Sequence, residues 1–389
     1  MINDYNKTKV ACYLGFVTQA IVANFPPLLF MVFYREYDIP IAMLAYIPAV
    51  FYIVQLITDF LCAKFKNLDY RRSIIISEIT SALGLIGLAF LPQLFSHPLI
   101  GILICVTVYA VGSGLIEVLC SPIIEACPFE NKEGMMSLLH SFYCWGAVAV
   151  ILGSTLFFYL FGLANWRYLT FLWALIPLYN IYNFSVCPIA PIVPDAEGMS
   201  MTALLKNGRF WLFLILMVAA GASESTMAQW TSAFAEASLG VDKAIGDLAG
   251  PCGFAFCMGL GRLWYGKKGL HLNLSAYMTG AGILCFFAYL LASLSSNPVA
   301  SFAGCMISGL AVGIMWPGSI SLTSARIPKG GTALFALLAL AGDMGGTLGP
   351  SLVGIATRSA ENSIRTGILA ASVFPAMLVI SLLLIRRHD

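Results

Sequence analysis

The sequence predicts an all-α integral membrane protein with twelve transmembrane helices in two pseudo-symmetric six-helix halves. Three observations favour this fold: the composition, a series of long apolar runs, and the distribution of the basic residues. The chain has 389 residues, of which 59% are hydrophobic and 10% are charged. Soluble proteins carry about 25% charged residues. The composition therefore excludes a soluble globular enzyme.

Twelve apolar runs are long enough to cross about 30 Å of hydrocarbon, which takes roughly 20 helical residues. Runs of this length indicate helices rather than barrel strands. The first run follows a short polar segment and lacks an A-x-A-like cleavage site, so we expect a retained span and not a signal peptide. The predicted spans cover residues 10–34, 40–62, 73–92, 98–126, 134–160, 166–187, 209–234, 245–265, 273–294, 299–323, 331–356 and 366–385.

The basic residues predict the orientation of these spans. An even number of spans puts both termini on one side of the membrane. If that side is the cytoplasm, sixteen of the 21 Lys and Arg residues lie on it, which is the asymmetry of the positive-inside rule. We therefore expect a multi-pass protein of the plasma (inner) membrane with both termini cytoplasmic. This assignment counts Arg262 with Lys267 and Lys268 in a basic cytoplasmic turn.

A polar, proline-containing stretch divides the chain near its middle. It predicts a cytoplasmic linker over 188–208, between an N-terminal six-helix bundle at 1–187 and a C-terminal one at 209–389. Glycines repeat between the halves at an offset of 196 residues, as expected of a duplicated architecture. The matching pairs are Gly134 with Gly330, Gly146 with Gly342, and Gly153 with Gly349.

Several kinds of chemistry find no support in the sequence. The net charge of +2 provides no basic face for nucleic acid. The 11 cysteines lie mostly in apolar runs without a CxxC pair, so we interpret them as packing residues and expect no metal and no cofactor. The stretch 261–268 (GRLWYGKK) has phosphate-loop spacing but ends in Lys268 where a Ser or Thr is required. Any transport would therefore be passive or driven by a gradient.

Carboxylates inside the predicted spans are the strongest functional signal. Each costs several kcal/mol in hydrocarbon unless it faces the bundle interior or a wet cavity. We predict no Lys or Arg in mid-span to pair with them, and burial without a cation favours the protonated form that proton coupling requires. The deep carboxylates are the candidate proton-coupling groups, with neutral hydrogen-bonded packing as the alternative: Glu117, Glu224 and Asp343.

Two further acids lie near the predicted cytoplasmic ends of spans 2 and 3. They are Asp59 and Glu78, next to a loop that carries Arg71 and Arg72. This arrangement predicts a gating or structural role for the four residues.

Polar and aromatic residues within the spans are the candidate substrate-binding groups, together with Glu117 and Glu224. His140 is the only histidine inside a predicted span, and a satisfied interior histidine is the alternative. Aromatic rings with a polar tip suit sugar-like or amphipathic ligands, while interhelical packing is the other interpretation. The candidates for the walls of a site are Tyr143, Trp145, Trp230 and Trp316.

Amide side chains complete this candidate set. Asn24 precedes Pro26 and Pro27, where span 1 must lose backbone hydrogen bonds, as discontinuous transporter helices do at binding sites. Three buried amides would hydrogen-bond a polar solute or hold helices together. They are Gln19, Gln55 and Gln229.

Span 11 contains two overlapping GxxxG pairs, Gly342 with Gly346 and Gly345 with Gly349. This spacing predicts a face for close helix packing.

Two segments carry a family resemblance. The stretch 112–122 (GSGLIEVLCSP) is similar to the span-4 pattern G-x-G-x-x-E-x-x-x-x-P of the fucose:proton symporter family, within the major facilitator superfamily. The stretch 139–147 (LHSFYCWGA) continues the likeness in span 5. The resemblance implies that Glu117 takes part in sugar binding or proton coupling, with polar residues of span 5 lining the same cavity.

The sequence departs from these families at two places. Phe25, beside Asn24, stands where the sugar symporters often have an acidic residue before a proline. The superfamily has the loop signature G-x-x-x-D-R-x-G-R-R. This chain has Asp69 at a position where glycine is usual, and Asp59 in the place of the acid of the signature.

These observations predict a secondary active transporter, not an enzyme. We expect a monomer in the bilayer that moves a small polar solute, a sugar or sugar-like metabolite being favoured, by cation-coupled symport and alternating access. The coupling ion would be a proton or sodium. The alternatives are an exporter of amphipathic compounds on the same fold, a membrane solute sensor, or an intramembrane aspartyl hydrolase using Asp343 and Asp59.

Overall fold

The computed structural model describes residues 4–39, 43, 46–64, 68–191, 198–240, 248–359 and 363–387. Over these ranges the chain is helical and contains no strand. The α-helices are α1 (Tyr5–Leu28), α2 (Phe30–Tyr37), α3 (Tyr46–Lys64), α4 (Tyr70–Leu88), α5 (Leu91–Leu94), α6 (Pro98–Ala126), α7 (Lys132–Phe161), α8 (Trp166–Val186), α9 (Met201–Lys206), α10 (Gly208–Leu239), α11 (Gly253–Lys268), α12 (Leu274–Leu294), α13 (Pro298–Val312), α14 (Met315–Arg326), α15 (Gly331–Ser359), α16 (Ile364–Ala371) and α17 (Val373–Arg387).

Ten helical stretches in the described part of the chain are long and apolar enough to cross a membrane. They correspond to ten of the twelve predicted spans. The other two predicted spans are also helical: 73–92 overlaps α4, and 245–265 overlaps a π-helical turn at Leu248–Cys252 followed by α11. Helix α4 carries three charged residues, Arg71, Arg72 and Glu78, and α11 has only 16 residues, so α4 has a larger share of charged residues, and α11 fewer residues, than the ten stretches.

The first, tenth and twelfth predicted spans are interrupted helices, and the twelfth is divided into α16 and α17 at Ser372. The first is interrupted at Leu29, shortly after Pro26 and Pro27, so that α1 and α2 form separate helices. The tenth is divided into α13 and α14 at residues 313–314. Prolines remove backbone donors and crowd the preceding turn, which explains the interruption in the first span.

The chain forms two compact units. Unit 1 comprises residues 1–128, 145–198 and 331–336, and unit 2 comprises 129–144, 199–330 and 337–389. Helix α7 therefore contributes its first part, 132–144, to unit 2 and its remainder to unit 1.

Unit 1 is held together by close helix approaches and an apolar core. A Cβ on Gly84 of α4 would lie 2.7 Å from the Cβ of Tyr109 and 2.9 Å from the carbonyl oxygen of Cys105, both on α6. Only glycine permits this backbone separation. Around the contact, fully buried side chains such as Phe25, Phe33 and Trp166 fill the core.

Unit 2 uses the same device between α10 and α15. A Cβ on Gly345 would overlap the carbonyl oxygen of Val218, and one on Gly221 would overlap that of Gly342. The glycines of the GxxxG pairs thus lie where two helix backbones meet, as their spacing predicts. Gly342 also accommodates the indole ring of Trp316, which packs directly against it.

Candidate functional site

Glu117 is the centre of a buried polar cluster in unit 1. Its Oε2 accepts hydrogen bonds from the Nε2 atoms of Gln19, at 2.9 Å, and Gln55, at 2.5 Å. The Oε1 atom of Gln55 accepts a further bond from Ser113 Oγ at 3.1 Å. Glu117 is 8% exposed. The carboxyl group is therefore held at the meeting point of α1, α3 and α6 by amide side chains.

The sequence explains why α3 and α6 converge here. Ser113 and Glu117 lie four residues apart and share one face of α6. Between them, a Cβ on Gly114 would lie 3.0 Å from the Cβ of Thr58, so α3 passes close to α6 at the level of the cluster. This approach brings Gln55, one turn before Thr58, within reach of Glu117.

Glu78 is the centre of a second cluster in the same unit. It is completely buried, and its carboxylate accepts bonds from Thr18 Oγ1 at 2.9 Å and Asn180 Nδ2 at 2.7 Å. The same Nδ2 atom donates to the carbonyl oxygen of Ala11 at 3.0 Å. Because Thr18 belongs to α1 and Asn180 to α8, Glu78 ties α4 to both helices.

Adjacent residues of α1 serve the two clusters. Thr18 contacts Glu78, whereas Gln19 contacts Glu117. Successive residues of a helix point about 100° apart, so α1 lies between the two carboxylates and faces both.

The other three predicted gating residues, Arg71, Arg72 and Asp59, lie in separate environments. Arg71 donates to the carbonyl oxygens of Phe184, at 2.6 Å, and Cys187, at 2.8 Å, and so caps the C-terminal end of α8. Arg72 forms an exposed ion pair with Asp69, the residue that caps the N-terminus of α4. Asp59 is completely buried.

Unit 2 contains a buried ion pair, which corrects the prediction that the deep acids lack basic partners. Arg262 Nη2 lies 2.8 Å from Glu224 Oε2, and the two side chains are 2% and 18% exposed. Arg262 belongs to α11 and is not part of the exposed basic turn formed by Lys267 and Lys268. The prediction was wrong because Arg262 was grouped with its basic neighbours, although it lies inside the predicted span 245–265.

The other donors of Arg262 hold the backbone around it. Nε donates to the carbonyl oxygen of Gly313 at 3.0 Å, and Nη1 donates to that of His140 at 3.0 Å. Nη1 also lies 3.1 Å from Cys144 Sγ. One guanidinium group therefore connects α10, α11, the first part of α7 and the junction between α13 and α14.

Further contacts attach the first part of α7 to α11. Ser137 Oγ donates to the carbonyl oxygen of Arg262 at 2.7 Å, and Tyr265 Oη donates to Glu133 Oε2 at 2.9 Å. His140 is 4% exposed, and Tyr143 is half-buried. The structure thus brings His140 next to Glu224 through Arg262, an association that the sequence did not predict.

The other candidates in unit 2 occupy different environments. Trp230 is half-buried and its Nε1 donates to the carbonyl oxygen of Pro350 at 3.1 Å. Trp316 and Asp343 are also half-buried. Gln229 is exposed, so its prediction as a buried amide was wrong. Helix α10 is apolar around most of its circumference, and its sequence therefore does not reveal which face is covered.

Two candidates in unit 1 lie outside the Glu117 cluster as the contacts define it. Asn24 is half-buried, and its Nδ2 donates to the carbonyl oxygen of Ala20 at 2.8 Å within α1. Trp145 is half-buried on α7. Asn180, in contrast, was missed by the sequence analysis. Its signal was present, because an asparagine inside a predicted apolar span requires hydrogen-bond partners.

The fold and these clusters define a polytopic helical membrane protein with buried, hydrogen-bonded carboxylates. The profile of the Major Facilitator Superfamily matches residues 11–387, and the chain belongs to this family. No curated protein matches the sequence significantly.

Solved structures confirm the fold. A structure of the transporter FucP in the outward conformation has a TM-score of 0.81 at 16% identity, covering 97% of this chain and 98% of that one. Another structure, of FucP as the fucose:proton symporter of E. coli, has a TM-score of 0.79 at 15% identity and the same coverage. The proton:xylose symporter XylE has a TM-score of 0.75 at 13% identity, covering 98% of this chain and 95% of that one. Membership of this family identifies a transporter and not an enzyme, which excludes the aspartyl hydrolase.

Proposed function

We propose that this protein is a secondary active transporter that moves a sugar or sugar-like metabolite by proton-coupled alternating access. The observation that carries the proposal is the environment of Glu117. Its carboxyl group is 8% exposed and is held by the amide groups of Gln19 and Gln55. These contacts hold the carboxyl group in a fixed orientation between two amide groups.

The same arrangement suits a sugar. Amide and carboxyl groups provide both donors and acceptors, which matches the paired donor and acceptor character of sugar hydroxyls. The cluster combines side chains from three helices, namely Gln19, Gln55 and Glu117. The affinity for a sugar hydroxyl would therefore depend on the relative positions of these helices. A ligand shifts a conformational equilibrium only through such differential contacts.

Proton coupling is assigned to Glu117 in preference to Glu224. A carboxylate that contacts a guanidinium group is stabilised as the anion, and Glu224 lies 2.8 Å from Arg262. The amide groups of Gln19 and Gln55 hold the Glu117 carboxyl group in place for loading and release of a proton. Asp343 remains a predicted coupling group in unit 2.

Two of the structural neighbours support this choice of solute and ion. FucP is described as a fucose:proton symporter and XylE as a proton:xylose symporter. The stretch 112–122, which contains Glu117, carries the resemblance to the fucose symporter family. At 13–16% identity the neighbours share the fold, and the solute of this chain is our inference.

We also propose residence in the plasma (inner) membrane as a monomer, with both termini cytoplasmic. Without Arg262, which is buried in α11, fifteen of the other 20 basic residues lie on the side of the termini, and this distribution supports the orientation. Reporter fusions at the two termini test it: both should be active only with a reporter that functions in the cytoplasm.

A ligand screen followed by a flux assay tests the proposed function. Purified protein is heated with fucose, xylose, other sugars and small organic acids at two pH values, since a ligand of the folded state raises its apparent stability. The stabilising compound is then measured for net uptake into proteoliposomes. Stabilisation by a sugar with net flux supports the proposal. Binding without flux would indicate a sensor, and stabilisation only by amphipathic compounds would indicate the exporter.

A further inference from the structure

The interruption of the tenth predicted span lies next to a proline, and Arg262 replaces the hydrogen bond that this proline cannot make. In a continuous helix the backbone N–H of residue 317 would donate to the carbonyl oxygen of residue 313. Residue 317 is Pro317, which has no N–H, and the helix is interrupted at residues 313–314. Gly313 is buried, and its carbonyl oxygen accepts a hydrogen bond from Arg262 Nε at 3.0 Å. Arg262 therefore satisfies the backbone acceptor that Pro317 leaves open.

Close packing between α11 and α13 brings Arg262 to this carbonyl oxygen. A Cβ on Gly261, the residue before Arg262, would lie 2.6 Å from the carbonyl oxygen of Leu310 on α13. A Cβ on Gly313 would lie 2.9 Å from the carbonyl oxygen of Met258 and 3.2 Å from the backbone nitrogen of Arg262, both on α11. The two backbones are thus in contact up to the interruption, and glycines permit this approach.

The other nitrogen atoms of the guanidinium group fix its orientation. Nη2 of Arg262 lies 2.8 Å from Glu224 Oε2 on α10, and Nη1 donates to the carbonyl oxygen of His140 on α7 at 3.0 Å. Because the guanidinium group is planar and rigid, two such contacts also determine where Nε points. Glu224 and His140 thereby orient Arg262 toward the interruption.

The interruption in turn determines where the indole ring of Trp316 lies. Trp316 is three positions after Gly313 and directly before Pro317, in the first turn of α14. Its ring packs on Gly342 of α15, where a Cβ would overlap the ring. A displacement of the backbone at Gly313 would therefore reach this ring within one turn of helix. Trp316 is half-buried, and the sequence predicts it as a wall of the solute site.

We propose that Arg262 is a positioning residue of the solute site, which holds Trp316 in place through the carbonyl oxygen of Gly313. The Glu224–Arg262 pair then has a specific role, because it stabilises the interruption that Pro317 introduces into the tenth span. This positioning role rests on the proposed transport function, since Trp316 contributes to a solute site only if the chain binds a solute.

Fluorine NMR of the purified full-length chain tests the position of Trp316 without any solute. The seven tryptophans are labelled as 5-fluorotryptophan, and the Trp316 resonance is assigned by its absence in Trp316→Phe. Arg262→Lys keeps a positive charge for Glu224 but lacks the Nε donor, so the Trp316 resonance should shift. Arg209→Lys, at an exposed arginine of α10, is the matched control and should leave it unchanged. An unshifted resonance in folded Arg262→Lys protein, or an equal shift in the control, would overturn the proposal.

A double-mutant cycle with Pro317→Ala tests the connection through Gly313. This change restores the N–H of residue 317, which can then donate to the carbonyl oxygen of Gly313. Arg262→Lys should therefore shift the Trp316 resonance less, and lower the unfolding midpoint less, in the Pro317→Ala chain than in the wild type. Equal effects in the two chains would overturn the proposal. If Arg262→Lys alone does not accumulate as folded protein, recovery by Pro317→Ala would support the proposal and a lack of recovery would overturn it.

Uptake kinetics connect the position of Trp316 to the solute. Arg262→Lys loses a charge-assisted hydrogen bond, so it should raise KM for the sugar that the screen identifies by roughly tenfold or more. Because Arg262 acts through Trp316, adding Trp316→Phe should raise KM no further than the larger single effect. Independent, multiplying effects of the two changes would overturn the proposal. A wild-type chain that moves no sugar would instead contradict the proposed function, and the Trp316 resonance would still decide whether Arg262 positions the ring.

Discussion

Arg262 and Glu224 form an ion pair inside unit 2, with Nη2 and Oε2 2.8 Å apart. Taking two charges out of water is tolerated only when their geometry is good and their remaining hydrogen-bonding atoms are satisfied. Arg262 meets this condition, because Nε and Nη1 donate to the carbonyl oxygens of Gly313 and His140. The pair therefore explains how an apolar helix packing accommodates a charged residue from each of α10 and α11.

Removal of Arg262 should destabilise the protein through Glu224. Breaking a buried ion pair by deleting one partner typically costs about 3–5 kcal/mol. Arg262→Met should therefore lower the thermal unfolding midpoint in detergent by several degrees or prevent accumulation of folded protein.

A double-mutant cycle separates the charge from the shape of the side chain. Glu224→Gln should lower the midpoint in the wild-type chain but raise it in the Arg262→Met chain, because it removes the uncompensated carboxylate. If Glu224→Gln had the same effect in both chains, the two residues would not be coupled.

The packing of α10 against α15 should depend on glycine. Gly345→Ala places a Cβ on the carbonyl oxygen of Val218, so we expect a clear loss of stability. Gly280→Ala is the matched control, since a Cβ on Gly280 of α12 meets nothing within 4 Å. Alanine is favoured over glycine in helices by about 1 kcal/mol, so the control should be as stable as the wild type or more so. A Gly345→Ala protein with the wild-type unfolding midpoint would contradict the packing.

The Glu78 cluster should be structural. Asn180→Ala removes the donor that serves both Glu78 and the carbonyl oxygen of Ala11, and should lower the unfolding midpoint. Glu78→Gln keeps a polar group that pairs with Thr18 and Asn180, so this variant should retain accumulation driven by a proton gradient. Loss of that accumulation in a folded Glu78→Gln protein would instead place Glu78 in the coupling mechanism.

The amides around Glu117 should determine apparent affinity for the sugar that the screen identifies. Gln55→Ala removes an amide donor to Glu117 and the acceptor of Ser113. A lost hydrogen bond of this kind costs about 1–3 kcal/mol, so KM should rise by about fivefold to a hundredfold. Thr107→Ala is the control, because Thr107 is an exposed residue of the same helix α6. Equal KM values for the two variants would argue against the cluster as the sugar site.

Hydropathy was sufficient to predict the fold, because a span must be apolar along its whole length whatever its neighbours are. Ten of the predicted spans correspond to apolar helical stretches. Glu117, which was predicted as a deep carboxylate, is buried in α6. Each of these features depends only on the residues within one helix, so a single sequence is sufficient to predict it.

Which residues face each other was harder to predict. In lipid both sides of a helix are apolar, so the periodicity that orients a soluble helix is weak. Gln229 was consequently assigned to a buried face, although it is exposed. Arg262 was assigned to the cytoplasmic surface because Lys267 and Lys268 follow it. Its pairing with Glu224, 38 positions away, depends on helix packing and leaves no local pattern.

Accumulation of sugar in proteoliposomes, driven by an inward proton gradient, tests the central role of Glu117 most directly. The wild-type protein should concentrate the sugar identified by the screen, and collapse of the gradient should abolish this concentration. Glu117→Gln keeps the size and polarity of the side chain but has no titratable proton, so it should exchange sugar across the membrane without concentrating it. Wild-type uptake that is insensitive to both proton and sodium gradients, or undiminished accumulation by Glu117→Gln, would contradict the proposed coupling.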